Sequence, residues 1–181
     1  MSFNLNRVQY SSHTQYDSLL RLLLTHDGST TRLCGAVNNN AMVIYLHEQY
    51  VLSTTESVLS PLANELNTTL GGTHWLQRIT SLHNADGDVF MDNLSFTRLD
   101  AVPTWFLNAL NEGKMPIGKL LDQLFIQRKP VDTSSSLQAL LWNTVGLTDQ
   151  RASRSYKITT PDNAFMLIFE VFRDAVRFKL T

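Results

Sequence analysis

Apolar residues recur along the chain with two different periods, and the periods divide it into elements. From about Gln15 to His26, Tyr16, Leu19, Leu20, Leu23 and Leu24 fall at i, i+3, i+4, i+7 and i+8, which predicts a helix with one apolar face. Thr14 with Asp17 has the spacing of a capping box, and Gly28 suits the left-handed residue that ends a helix. Ser29 is then placed to cap a short second helix over Thr30 to Cys34. Ala41 to Leu52 reads as a strand, apolar on both faces as in a covered sheet. Ser60-Pro61 opens a short helix through Leu62 and Leu66, inside a segment that sits over the sheet.

Trp75 to His83 and Asp88 to Leu99 alternate as two strands, and Asn84-Ala85-Asp86-Gly87 between them is a hairpin signal. Helices are expected from Pro103 to near Gly113, after Pro116, and over Leu137 to Val145, with a strand over Leu124 to Val131. Ser153 to Thr159, a Pro161-Asp162-Asn163 turn and Phe165 to Leu180 form a final hairpin. Hairpin-joined strands with helices grouped between them predict an α+β fold on one antiparallel sheet, and the chain (residues 1–181) reads as a single domain.

Composition narrows the chemistry. The 15 basic and 16 acidic side chains give a formal charge of −1, which argues against phosphate-backbone binding, so no nucleic-acid partner is expected. Hydrophobic residues at 43% exclude disorder. The opening residues lack a leader pattern and no apolar run approaches the length of a membrane span, so a cytoplasmic location without a membrane partner is expected. One cysteine, Cys34, excludes an internal disulfide and a cysteine metal cage. Neither a G-x-x-x-x-G-K-[ST] nor a G-x-G-x-x-G motif occurs, nor G-x-S-x-G. His47-Glu48 is followed by Val51 where an H-E-x-x-H metal motif needs its second histidine, so no metal is assigned. Without a heptad seam, a monomer is the default.

Glu170 is the most informative residue. Alternation puts it among Met166, Ile168 and Phe172, opposite Phe165, Leu167, Phe169 and Val171. A strand apolar on both faces is buried on both, and a carboxylate there must be protonated or paired. A protonated acid suits a general acid or a hydroxyl-recognising group. A paired one needs an arginine such as Arg151, Arg154 or Arg78, and the strand pattern leaves both options open. An interior arginine is also the natural anchor for an organic acid, because its planar fork matches a carboxylate.

Several segments, taken in order, carry a resemblance. They are Leu22-Leu23-Leu24-Thr25-His26-Asp27-Gly28-Ser29-Thr30-Thr31-Arg32-Leu33, Leu46-His47-Glu48-Gln49-Tyr50-Val51, and His74-Trp75-Leu76-Gln77-Arg78-Ile79 before Ala85-Asp86-Gly87. Gly113-Lys114-Met115-Pro116-Ile117-Gly118-Lys119-Leu120-Leu121, Gly146-Leu147 before Arg151, and Phe169-Glu170-Val171-Phe172 follow. The ordered set resembles the chorismate pyruvate-lyase (4-hydroxybenzoate synthase) family and its broader relatives.

The resemblance implies an antiparallel sheet with helices on one side and a ligand cavity under helix-turn flaps. It also implies elimination of pyruvate from chorismate to give 4-hydroxybenzoate or a related aromatic acid, without a metal or organic cofactor. By position, Glu170 matches the glutamate that meets the ring hydroxyl and takes part in proton transfer. Ile117 matches a residue whose backbone N–H contacts the ligand carboxylate, and Ser29 and Thr30 match the flap turn. The family's carboxylate-binding arginine directly follows an aromatic-Leu pair, a register that places Gln77 there and Arg78 one residue later. His47 also stands where an arginine is common. A one-residue shift would bring Arg78 into the site; without one it is expected on the opposite face. Arg78 is thus the candidate catalytic cation beside Glu170, with Gln77, Ser29, Thr30, Ile117 and Arg151 as substrate-binding candidates. The alternative is a non-catalytic domain of the same fold that binds an aromatic or organic acid.

Overall fold

The computed structural model describes residues 16–54, 61–132, 139–140 and 153–173. Two short helices come first, α1 (Tyr16–Thr25) and α2 (Thr30–Asn38). The Ser29 side chain accepts the Arg32 N–H, so it is the cap that its position predicts. The second helix runs past Cys34 because Asn39 takes the left-handed conformation (φ 51°) and stops it there. After them come β1 (Val43–Ser53), α3 (Pro61–Leu70), β2 (His74–His83), β3 (Val89–Arg98), α4 (Thr104–Glu112), α5 (Ile117–Leu121), β4 (Gln127–Pro130), β5 (Ser153–Thr159) and β6 (Ala164–Phe172). The expected helix over Leu137 to Val145 and the strand beyond Arg173 lie largely outside the described residues.

The six strands form one sheet in the order β1-β2-β3-β6-β5-β4, with every neighbouring pair antiparallel. The β2–β3 turn is built on Asn84, whose side-chain oxygen accepts the N–H groups of Asp86 and Asp88 while Gly87 takes φ 86°. Alternation then sends two sets of side chains to opposite faces. Trp75, Ile79, Leu94, Phe96, Leu167, Phe169 and Val171 pack under Ala63, Leu66 and Leu70 of α3. On the other face, Phe106, Leu110, Leu120 and Leu121 of α4 and α5 cover Ile158, Met166 and Ile168. Leu23 and Cys34 of α1 and α2 cover Leu82, Met91 and Phe172 on that face. The helix pairs α1–α2 and α4–α5 therefore share one side, as expected, and α3 closes the other.

The expectation that the first strand is covered on both faces is corrected. Among the described residues β1 is the outer strand beside β2, and Val43 and Tyr45 are 55% and 59% exposed. Its alternation of apolar residues on both faces reflects strand propensity more than burial. No helix among the described residues is long and apolar enough to cross a membrane.

Candidate functional site

Two adjacent rows of side chains cross the sheet beneath α2 and α5. In the first, Arg78 of β2 pairs with Ser95, Ser95 with Ile168, and Ile168 with Tyr156. In the second, Thr80 pairs with Asn93, Asn93 with Glu170, and Glu170 with Arg154. Directly paired residues point to the same face, so the register alone brings Arg78, Asn93 and Glu170 to one surface. They line a cavity whose roof is Ser29, Thr30 and Thr31 at the α2 N-terminus and Pro116, Ile117 and Gly118 at the start of α5. The space open to the centres of water-sized spheres is about 30 Å³. At roughly 10–15 Å³ of such space per water, it holds about two or three waters.

The two parts of the roof are in close contact. A Cβ on Gly118 would stand 2.7 Å from Ser29 Oγ and 3.0 Å from Thr31 Oγ1, so glycine lets the turns meet. Arg32 of α2 pairs with Asp122, just past α5, at 3.0 Å. From below, Arg128 Nη1 donates to the Asp27 carbonyl at 3.1 Å, and Arg154 Nη1 donates to the His26 carbonyl at 2.7 Å.

Glu170 is 3% exposed, and its carboxylate is already engaged. Arg154 Nε donates to Oε2 at 2.6 Å and Tyr156 Oη donates to Oε1 at 2.8 Å. Thr30 Oγ1 lies 2.9 Å from both oxygens and receives Arg154 Nη2 at 2.6 Å. Of the two options the sequence leaves open, the structure takes the ion pair, with Arg154 as the partner. Burial pulls the Arg154 pKa down, but neighbouring Glu170 and Tyr156 outweigh it, and the net shift is upward. Burial, then the negative charge of Glu170, lifts the Tyr156 phenol well above its ordinary value and keeps it a donor.

Arg78 is the opposite case. It is fully buried, and none of its three guanidinium nitrogens has a hydrogen-bond partner among the described residues. Burial lowers its pKa to about 10, so it still carries a proton at neutral pH. A buried charge of this kind is costly without a counter-charge. Asn93 is 7% exposed, and its side-chain oxygen is likewise buried without a partner.

The register expectation for Gln77 is corrected. The β2–β3 ladder runs without a shift from Trp75 to Leu82, and it points Arg78, not Gln77, into the cavity. Gln77 shares the α3 face with Trp75 and Ile79, where its amide donates to the Tyr50 hydroxyl at 2.6 Å. The irregularity lies in β1, between Leu46 and Glu48. His47 sits at that bulge, outside the cavity, 2.6 Å from Ser81 Oγ. Ser29, Thr30 and Ile117 line the cavity, and Arg151 lies outside the described residues.

Sequence reasoning missed Asn93, Tyr156 and Arg128, and did not single out Arg154 from its neighbours. A signal for Asn93 exists: Asn93, Ser95 and Thr97 make a polar stripe along one face of a buried strand whose other face carries Phe90, Leu94 and Phe96 beside Asp92. Among the described residues no group of three His, Cys, Asp or Glu side chains is placed to hold a metal.

No protein-family model matches the sequence, and no curated protein matches it. Solved structures do. PhnF from Mycobacterium smegmatis is 15% identical with a TM-score of 0.52, over 87% of this chain and 67% of that one. The effector domain of the same protein gives a TM-score of 0.51 at 15% identity, covering 84% of this chain and 92% of its own. A GntR-family transcriptional regulator from Bacillus cereus is 10% identical with a TM-score of 0.42, over 72% of this chain and 90% of that one. The chain therefore has the α+β, chorismate lyase-like fold of the PhnF effector domain, and at these identities the likeness is one of fold, not of the pyruvate-lyase family in particular.

Proposed function

We infer that the chain is a ligand-binding effector domain that captures a small organic anion on Arg78. The observation that carries this reading is the buried guanidinium, its three nitrogens without a partner among the described residues, facing the cavity. A carboxylate entering there supplies the missing counter-charge and two parallel hydrogen bonds. The second lining arginine, Arg128, adds to the positive balance, because Glu170 is neutralised by Arg154 behind it. Fold likeness to an effector domain supports binding without turnover. The output of such a domain passes through another segment or partner. The exclusion of nucleic acid drawn from net charge is accordingly withdrawn for any larger assembly that contains the domain.

A second reading, chorismate pyruvate-lyase activity, keeps one observation in its favour: Arg78 and Glu170 do share a cavity. Against it, the carboxylate expected to move a proton is an acceptor for Arg154, Thr30 and Tyr156. The space between Arg78 and Glu170, sized for about two or three waters, is also small for a ring diacid.

Thermal denaturation with a panel of aliphatic and aromatic acids, run beside a pyruvate-release assay on chorismate, separates the two. Effector binding predicts an upward shift of the midpoint with at least one acid and no pyruvate above the spontaneous rate. Pyruvate release that is lost in Glu170→Gln would replace this reading with the lyase.

A further inference from the structure

A ligand seated on Arg78 also meets Asn93. The two residues are diagonal neighbours on adjacent strands, since Arg78 pairs with Ser95 and Asn93 lies two residues away on the same face. Both line the same cavity, which is small enough that one occupant touches both. The Asn93 oxygen is a buried acceptor with no donor among the described residues. Glu170, its neighbour across the ladder, has both oxygens taken by Arg154, Tyr156 and Thr30. The acceptor left for a hydrogen-bond donor on the ligand is therefore Asn93, not the glutamate that the family resemblance singles out.

Resting on the reading that Arg78 holds an organic anion, we propose that the cavity selects short 2-hydroxy acids, with Arg78 taking the carboxylate and Asn93 Oδ1 accepting from the adjacent hydroxyl. The hydroxyl must lie next to the carboxylate, because the two protein groups share one small space. A neutral hydroxyl suits that space better than an ammonium, since the lining arginines Arg78 and Arg128 repel a further cation. The roof residues Ile117 and Leu121, with Ile168 below, leave an apolar wall for a short aliphatic tail.

Calorimetric titration with matched acids tests this: lactate against propionate, and glycolate against acetate, with alanine as the ammonium counterpart. The wild-type protein is expected to bind each hydroxy acid about tenfold or more tightly than its plain partner, because the plain acid leaves a buried acceptor unpaired. In Asn93→Leu, which is close in shape, the ratio of the two affinities should collapse toward one. Equal affinities for the matched pairs in the wild type, a ratio that survives Asn93→Leu, or tighter binding of alanine than of lactate overturns the proposal while leaving the anion site standing. Failure of every acid to bind removes both this proposal and the anion reading. Should Asn93→Leu not fold, the wild-type pairs decide alone.

Discussion

Arg154 and Glu170 stand directly opposite each other in the β5–β6 ladder, and their side chains meet with Nε and Oε2 2.6 Å apart in a buried pair. The same guanidinium also holds the His26 carbonyl and the Thr30 hydroxyl, so one arginine ties the floor of the cavity to the turn above it. The pair is a structural keystone for the roof. It also explains why Glu170 is held as an acceptor.

Breaking that pair should be severe, because either single change strands a buried charge. Arg154→Met and Glu170→Gln are each expected to cost about 3–5 kcal/mol. The double variant should cost less than their sum by about 0.5–3 kcal/mol, since neither charge is then left alone. Urea denaturation of the four proteins checks this. Strict additivity would mean that the two side chains do not depend on each other.

Arg78 should behave in the reverse way. Arg78→Met removes a buried charge that has no counter-ion among the described residues, so the ligand-free protein is expected to become more stable by about 1–3 kcal/mol. A site that sacrifices stability in this manner is the usual mark of function. Denaturation of the variant without added acid is the check. A loss of several kcal/mol would mean that Arg78 is paired in the folded protein.

Gln77 offers a control on which face of β2 lines the cavity. Its amide bonds Tyr50 on the α3 side, so Gln77→Leu should leave acid binding within about twofold while costing about 0.5–1.5 kcal/mol of stability for the lost hydrogen bond. A tenfold loss of acid binding would put Gln77, and not Arg78, in the cavity.

His26 sets a pH dependence. Burial lowers its pKa below 6.5, with Arg154 next in effect, then Arg128 in the same direction, while Glu170 and Asp27 oppose them. The unfolded imidazole therefore binds a proton at higher pH than the folded one. The stability this provides is complete above about pH 6.5 and is lost as pH falls through the lower folded value. Thermal midpoints between pH 7.5 and 5.5 should fall more steeply for the wild type than for His26→Gln, whose backbone carbonyl still meets Arg154. Parallel curves for the two proteins would remove His26 from the account.

Much of this arrangement is readable in the amino-acid pattern, for identifiable reasons. The hairpins were legible because Asp86-Gly87 and Pro161-Asp162-Asn163 carry turn chemistry between alternating runs. The burial of Glu170 followed from apolar neighbours on both faces of its strand. What escaped was pairing between distant strands. Choosing Arg154 over Arg151 or Arg78 as the partner of Glu170 requires the β5–β6 register, which no local pattern specifies. The same limit misplaced Gln77, although Trp75 and Ile79 share its parity and already point to the packed face. Asn93 went unnoticed because a single buried amide looks like ordinary strand polarity until its oxygen is seen to have no donor among the described residues.

Calorimetry at neutral pH, following a small organic acid onto the wild type and onto Arg78→Met, is the decisive experiment for the anion site. Saturable one-site binding is expected for the wild type, weakened about tenfold to a hundredfold in Arg78→Met, the range expected when charge-assisted hydrogen bonds are lost. Undiminished binding by the variant, or no acid bound by the wild type, would contradict it.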